Sequence, residues 1–168
     1  AYLTIIAFEP HSIYSTRLAK KGELLTHDKD KAVLTLMKVE NVVEKNFETV
    51  SPDMELGQLV GVISRAKRNL FPVVDNGGVL LGIVQMDDIR HIMFRQELYR
   101  RFTVNRLMTE APCRLSVNDS MEVVIRKFDD TGAWNLPVDD ADGKYLGFVS
   151  KSKVFASYRQ MLVDFSEE

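Results

Sequence analysis

The sequence is poor in cysteine, in tryptophan, in long apolar runs and in net charge. Its single cysteine, Cys113, excludes an internal disulfide and fits a reducing compartment. The 22 Lys and Arg against 24 Asp and Glu give a net charge of −2, so the cationic excess of a nucleic-acid binder is missing and no nucleic-acid partner is expected. No apolar run approaches the roughly 18 residues that a bilayer-spanning helix needs. Tyr2 to Phe8 is a short apolar stretch without the basic lead of a signal peptide. His11, His27 and His91 are scattered and make no ligand set, so no metal is expected. Cys113 has no histidine arranged to activate it. What the chain does have is 45% hydrophobic and 27% charged residues over 168 positions. That is the composition of a globular protein with one domain, or two small halves sharing a core.

The most informative stretch runs from Asn69 to Ile89. Phe71 to Val74 and Val79 to Val84 are apolar on both sides, which predicts strands covered on both faces. Asn76-Gly77 between them suits a two-residue type I′ hairpin turn. The pattern returns at Asn135 to Ser150: Pro72, Gly78, Gly82 and Val84 have counterparts Pro137, Gly143, Gly147 and Val149, each 65 residues on. A constant offset without gaps marks an internal repeat. Asp139, Asp140 and Asp142 have the look of a metal cluster, but Asp favours turns by bonding its own backbone, and the hairpin is the preferred reason for them.

The remaining elements follow in order. Ser12 and Gly22 bracket a basic amphipathic helix over 13–21, and Ala32 to Met37 reads as a strand or short helix. Val39, Val42 and Val43 form a short helix face. Ser51-Pro52 opens a helix whose stripe is Leu56, Leu59, Val60 and Ile63. A helix from about Met86 to Phe94 follows the hairpin. Val104, Leu107 and Met108 then begin the second round, with Met121, Val124, Ile125 and Phe128 as its stripe and a last helix running to about Val163. The fold class is α/β of the α+β kind: two βαββα repeats, over 39–94 and 103–163, packed as a pseudo-twofold module. A short helical leader over 1–38 precedes them, residues 95–102 link them and 164–168 form a tail. The linker carries Arg95, Arg100 and Arg101 with Arg106 beyond. A solvated connection is preferred to a binder of phosphates or acidic lipid.

A βαββα unit with a hydrophobic-Pro-Val strand and a Gly-hydrophobic-Val-[Ser/Thr]-x-x-Asp end resembles the cystathionine-β-synthase (CBS) domain, and two of them resemble a Bateman module. The leader, with Glu9-Pro10-His11-Ser12-Ile13-Tyr14 and Thr26-His27-Asp28-Lys29-Asp30, resembles the junction of CLC chloride channels and transporters, where the last membrane helix enters a cytoplasmic CBS pair. That resemblance implies a regulatory module at the cytoplasmic face of the cell membrane, fused to a transmembrane anion-transport domain and paired as a homodimer. It makes Tyr14 the anion-coordinating tyrosine of the full-length protein, and the helices starting near Met86 and Lys151 the dimer faces. The alternative reading is a CBS module of another transporter, for example of magnesium, or of a soluble enzyme. With no catalytic constellation, the chain itself is read as not an enzyme.

The CBS resemblance also implies clefts for adenine nucleotides, here ATP, ADP or AMP, with no cofactor required. In the family pattern a Ser or Thr hydroxyl meets phosphate and an Asp three residues later takes the ribose. Here the pattern is split. The first repeat has Gln85 and Asp88, the second Ser150 and Lys153. The strands would supply an apolar slot for the base from Thr49, Val50, Phe71, Pro72, Leu115, Leu136 and Pro137. Trp134 would stack on the base or on a partner, although packing is the preferred role for it. A nucleotide cleft and an empty structural cleft both remain open on these residues.

Overall fold

A computed structural model describes residues 28–167. Tyr14, the helix expected over 13–21 and the start of the CLC-like junction lie outside the described residues. Helix α1 covers 28–36, which decides between the two readings of that stretch. It is followed by a 3₁₀ turn at Val39–Asn41, helix α2 at Leu56–Arg65, and strands β1 and β2 at Leu70–Val74 and Leu80–Gln85. The short helices α3 and α4 are Met86–Ile89 and Val104–Leu107. Strand β3 is Leu115–Ser116, helix α5 Met121–Thr131, strands β4 and β5 Asn135–Asp139 and Tyr145–Ser150, and helix α6 Lys151–Ser166.

The 65-residue offset is visible in every pairing. Strand β1 is antiparallel to β2 with Leu70 opposite Gln85; β4 is antiparallel to β5 with Asn135 opposite Ser150. Both ladders slip at the same place, after Val73 and after Val138. Val50 bridges Val73 in parallel, as β3 does β4 through Leu115 and Val138. The strand centres are buried on both faces, as their apolar runs predict.

The two repeats exchange their lead-in segments. Glu44 belongs by sequence to the first repeat, yet it pairs with β5: its N–H donates to the Phe148 carbonyl at 2.7 Å, and the Phe148 N–H donates back at 3.0 Å. Thr109, its counterpart, pairs with Ile83 of β2 through bonds of 2.8 and 2.9 Å. Lys38 bridges Ser120 and Thr103 bridges Glu55 in the same reciprocal way. The cores follow suit. Val33, Met37, Val39 and Val42 are buried with Met121, Phe128, Leu136 and Val149, whereas Val104 is buried with Leu56, Leu59, Phe71 and Val84. The first helical turn of each repeat therefore completes the other unit. The physical gain is that the outer edges of β2 and β5 acquire backbone partners, and so do not remain open ladders. Gly82 and Gly147 make this approach feasible. A Cβ there would lie 2.8 Å from the Thr109 carbonyl oxygen and 2.4 Å from that of Glu44.

Four local expectations change. Helix α2 starts at Leu56, not at Ser51-Pro52, because Gln58 Oε1 accepts the Glu55 N–H at 2.9 Å and fixes the start there. Residues 95–102 are more than a solvated linker: the Phe102 and Tyr99 carbonyls accept the N–H groups of Leu56 and Gly57 at 2.8 and 3.2 Å, satisfying donors that a helix start leaves free. The helix expected over Met86 to Phe94 ends at Ile89, where the Ile92 N–H turns back to the Ile89 carbonyl at 3.0 Å. The hairpin turn is not type I′, since Asn76 and Gly77 keep negative φ and Gly78 takes φ +83°. Asp75 Oδ1 accepts from the N–H groups of Gly77 and Val79, and Asp140 Oδ1 does the same for Asp142 and Lys144. Asp140 is thus the turn former of the second hairpin, while Asp139 ends β4 and pairs with Arg114 at 3.4 Å. The two hairpins also touch: the Tyr145 N–H donates to the Gly78 carbonyl at 2.9 Å, and Arg114 donates to the Leu80 carbonyl.

The exchange sets up a paired stability test. Gly147→Ala forces a methyl into the Glu44 backbone and should cost about 1–3 kcal/mol. Gly61→Ala, inside α2 with no heavy atom within 4 Å of the added carbon, should stabilise by about 0.5–1 kcal/mol. Urea midpoints of the two variants at unchanged slope provide the measurement. A Gly147→Ala protein as stable as the parent would show that the Glu44 backbone is not held against β5.

Candidate functional site

The strands that carry the repeat also bring their starts together between the two units. Asn69 and Leu70 open β1, Asn135 opens β4, and Gln85 closes β2 opposite Leu70. Two cavities lie here. One, of about 220 Å³, is lined by Phe47, Arg68, Asn69, Leu70, Gln85, Asp87 and Asn135. The other, of about 280 Å³, is lined by Leu70, Ile83, Gln85, Pro112, Thr131, Ala133, Trp134 and Asn135. Each is smaller than the roughly 300 Å³ at which ligand pockets begin. They share Leu70, Gln85 and Asn135 and so adjoin as one canyon between the repeats. The 65-residue shift turns Phe47, Arg68, Asn69 and Leu70 into Pro112, Ala133, Trp134 and Asn135, so the pseudo-twofold axis passes between Leu70 and Asn135.

The two ends of the canyon differ chemically. At the first, Arg68 is held by three partners. Its Nη2 lies 3.0 Å from the Glu44 carboxylate and 3.4 Å from Asn46 Oδ1, and its guanidinium sits 4.6 Å over the Phe47 ring, which in turn packs on Phe148 at 4.8 Å. Its Nε is buried and has no partner among the described residues. A cation fixed this firmly at the cavity wall suits an anion entering the cavity. Asp87 lines the same cavity and holds Arg90 at 2.6 Å on its outer side. At the second end Ala133 replaces the arginine and Trp134 replaces Asn69. The Trp134 ring is 73% exposed, with Lys151 Nζ 5.9 Å above it. It also borders an outer groove of about 500 Å³ with Ser152, Phe155 and Arg159 of α6.

Of the residues singled out from the sequence, Gln85 and Trp134 line the canyon. Val50, Phe71, Leu115 and Leu136 are within 2% of complete burial in the two cores, and Pro72 and Pro137 are buried beside them. Their side chains form the floor below the canyon, and the walls are made one residue earlier, by Leu70 and Asn135. Thr49 is exposed. Asp88 is exposed on the first turn of α3, and its neighbour Asp87 takes the lining position. Ser150 caps α6, its Oγ accepting the Lys153 N–H at 3.1 Å, and the Lys153 side chain is exposed. Arg68, Asn69, Phe47 and Asn135 escaped the sequence reading. The available signal was position: Asn69 is the repeat counterpart of Trp134.

The CBS domain matches residues 39–95 and 104–159. A homoserine O-acetyltransferase from Methanococcus vannielii is 24% identical over 69% of this chain and 24% of its own length. This chain spans less than half the length of the curated relatives it matches. Among solved structures, CBSX2 of Arabidopsis thaliana in complex with AMP has TM-score 0.61 at 24% identity, covering 74% of this chain and 97% of that one. The cytosolic domain of the Mg²⁺ channel MgtE in complex with ATP has TM-score 0.61 at 21% identity, covering 71% of this chain and 48% of that one. At these identities the likeness is one of fold. With both repeats matched over most of the chain, the protein belongs to the CBS domain family and is a tandem CBS pair.

Proposed function

We propose that this pair is a regulatory module that senses adenine nucleotides in its inter-repeat canyon, as the cytoplasmic part of a CLC-type chloride channel or chloride/proton exchanger. The observation that carries the nucleotide reading is that one cavity holds Arg68 and Asp87 together, a fixed cation and a carboxylate acceptor, with Leu70 between them. Phosphate goes to Arg68. The ribose hydroxyls go to the carboxylates at the start of α3, Asp88 as the family pattern has it, with Asp87 beside it. The base lies toward Leu70 and Ile83. The AMP and ATP named with the two similar structures support the ligand class. Because the walls come from both repeats, a bound nucleotide biases how the repeats sit against each other and against whatever they are attached to. The chloride-transport attachment rests on the leader sequence alone. The MgtE likeness favours a second reading, a module of a magnesium transporter. The chain's own role is binding, without catalysis.

Calorimetric titration with AMP, ADP and ATP tests the site. Hydrogen bonds to charged groups are worth about 1.5–3 kcal/mol, so loss of the ribose acceptor should weaken binding by about one to two decades. Asp88→Ala and Asp87→Ala distinguish the two acceptors, and Arg68→Gln should weaken ATP more than AMP. The nucleotide should be recovered intact. Heats unchanged in all three variants, or no thermal shift at millimolar nucleotide, would leave the canyon as structure only. Hydrolysis above a buffer blank would sink the non-catalytic role.

We also propose a homodimer, built through the faces of the helices that follow the core strands. Phe155, Val163 and Phe165 are exposed on α6, apolar surface that a second copy would cover. Light scattering at tens of micromolar should give twice the mass of the chain, and Phe155→Glu should halve it. A monomer throughout would contradict the assignment for this chain.

A further inference from the structure

We propose that segment 90–106 is a docking surface for an anionic lipid bilayer, with Phe94 as the side chain that enters it. This goes beyond nucleotide sensing and uses none of the canyon residues. The first observation is charge. Arg90, Arg95, Arg100, Arg101 and Arg106 face a single acidic residue, Glu97, within the segment, while the whole chain carries a net −2. With His91 neutral, five arginines against one glutamate give the segment a local charge of +4 in a protein that is acidic overall. Arg90 and Arg95 have exposed partners in Asp87 and Glu97, pairs that water screens strongly. Arg100 and Arg101 have no carboxylate within 4.0 Å among the described residues and are exposed.

The second observation is the placing of Phe94, whose 78% exposure is the highest of the large hydrophobic side chains described. It is not a floppy residue. Ile92 and Met93 just before it are buried, the Arg95 N–H donates to the Ile92 carbonyl at 3.0 Å, and the Tyr99 hydroxyl donates to the Met93 carbonyl at 2.9 Å. The Tyr99 bond ties the backbone beside Phe94 to the residue preceding Arg100-Arg101. The ring therefore projects from an anchored turn whose backbone is tied to the residue that precedes Arg100 and Arg101 in the chain. An exposed aromatic in a cationic segment matches an anionic bilayer, where the rings sit at the headgroup level and the cations are drawn to the acidic leaflet.

The test is co-sedimentation of the chain with vesicles of phosphatidylcholine, with and without phosphatidylserine, at low and physiological salt. Binding to the anionic vesicles alone, falling as salt rises, is expected. The double substitution Arg100→Glu, Arg101→Glu should reduce the partition by at least about 30-fold, since one arginine near an acidic surface is worth about five-fold. Phe94→Ala should reduce it several-fold, whereas Trp134→Ala, an exposed aromatic elsewhere, should leave it unchanged. Thermal melts of the variants, all at exposed positions, keep folding apart from binding. Equal sedimentation of parent and double variant, or absence of binding at low salt, overturns the proposal. So does displacement by millimolar inorganic phosphate, which would assign the arginines to a free anion. Loss of dimer mass in Phe94→Ala together with absent vesicle binding overturns it too, by placing a second copy against the ring.

Discussion

Everything in this fold depends on four backbone hydrogen bonds, two between Glu44 and Phe148 and two between Thr109 and Ile83. A two-stranded antiparallel ladder such as β1–β2 is marginal alone, and an open edge invites association. Each unit obtains its missing edge partner from the opening segment of the other repeat. The same segments deliver Val39 and Val42 to one core and Val104 to the other. Neither core is complete without chain from both halves. The side-chain-free positions Gly82 and Gly147 are the steric condition for it, because a carbonyl oxygen occupies the space that a Cβ would need.

The canyon is a by-product of that exchange. Once Glu44 is fixed on β5, Phe47 three residues on is brought against Phe148, and Arg68 is trapped between the Phe47 ring and the Glu44 carboxylate. The cation at the mouth is thus positioned by the crossing segment as much as by the bend between α2 and β1 in which it lies. At the other end the equivalent crossing brings Pro112, and the equivalent of Arg68 is Ala133. The symmetry of backbone is kept while the symmetry of charge is lost. A single polyanionic ligand has one preferred orientation in such a site.

The repeat, the strands and the buried helix stripes were legible from the sequence because each rests on local periodicity or on a fixed offset. Leu56, Leu59, Met121, Val124 and Phe128 are buried as their spacing demands. The exchange was not legible, and for a physical reason: a segment repeated at constant offset has the same pattern whether it folds onto its own unit or onto the next. The helix start at Leu56 was missed because Ser51-Pro52 and the Glu55/Gln58 pair are both acceptable openings, and the Gln58 bond to the Glu55 N–H is reinforced by the distant Phe102 and Tyr99 carbonyls, which accept from Leu56 and Gly57. The apolar slot residues Phe71, Pro72, Leu136 and Pro137 lie beneath the site because strands covered on both faces spend their side chains on packing. Arg68 looked like a cation closing a helix, and its role depends on Phe47 and Glu44, more than twenty residues away in the chain.

The exchanged segment has a consequence for the order in which the chain can acquire its structure during synthesis. Thr109 meets Ile83 soon after both have left the ribosome. Glu44 must wait for Phe148, about a hundred residues later, and Val33, Met37, Val39 and Val42 wait with it. At a few to about twenty residues per second, that leaves an apolar segment without its core for seconds, while the 50–108 unit already holds its own. The first-made part of the pair is therefore the last to be buried, and the interval belongs to the period when chaperones have access to the nascent chain.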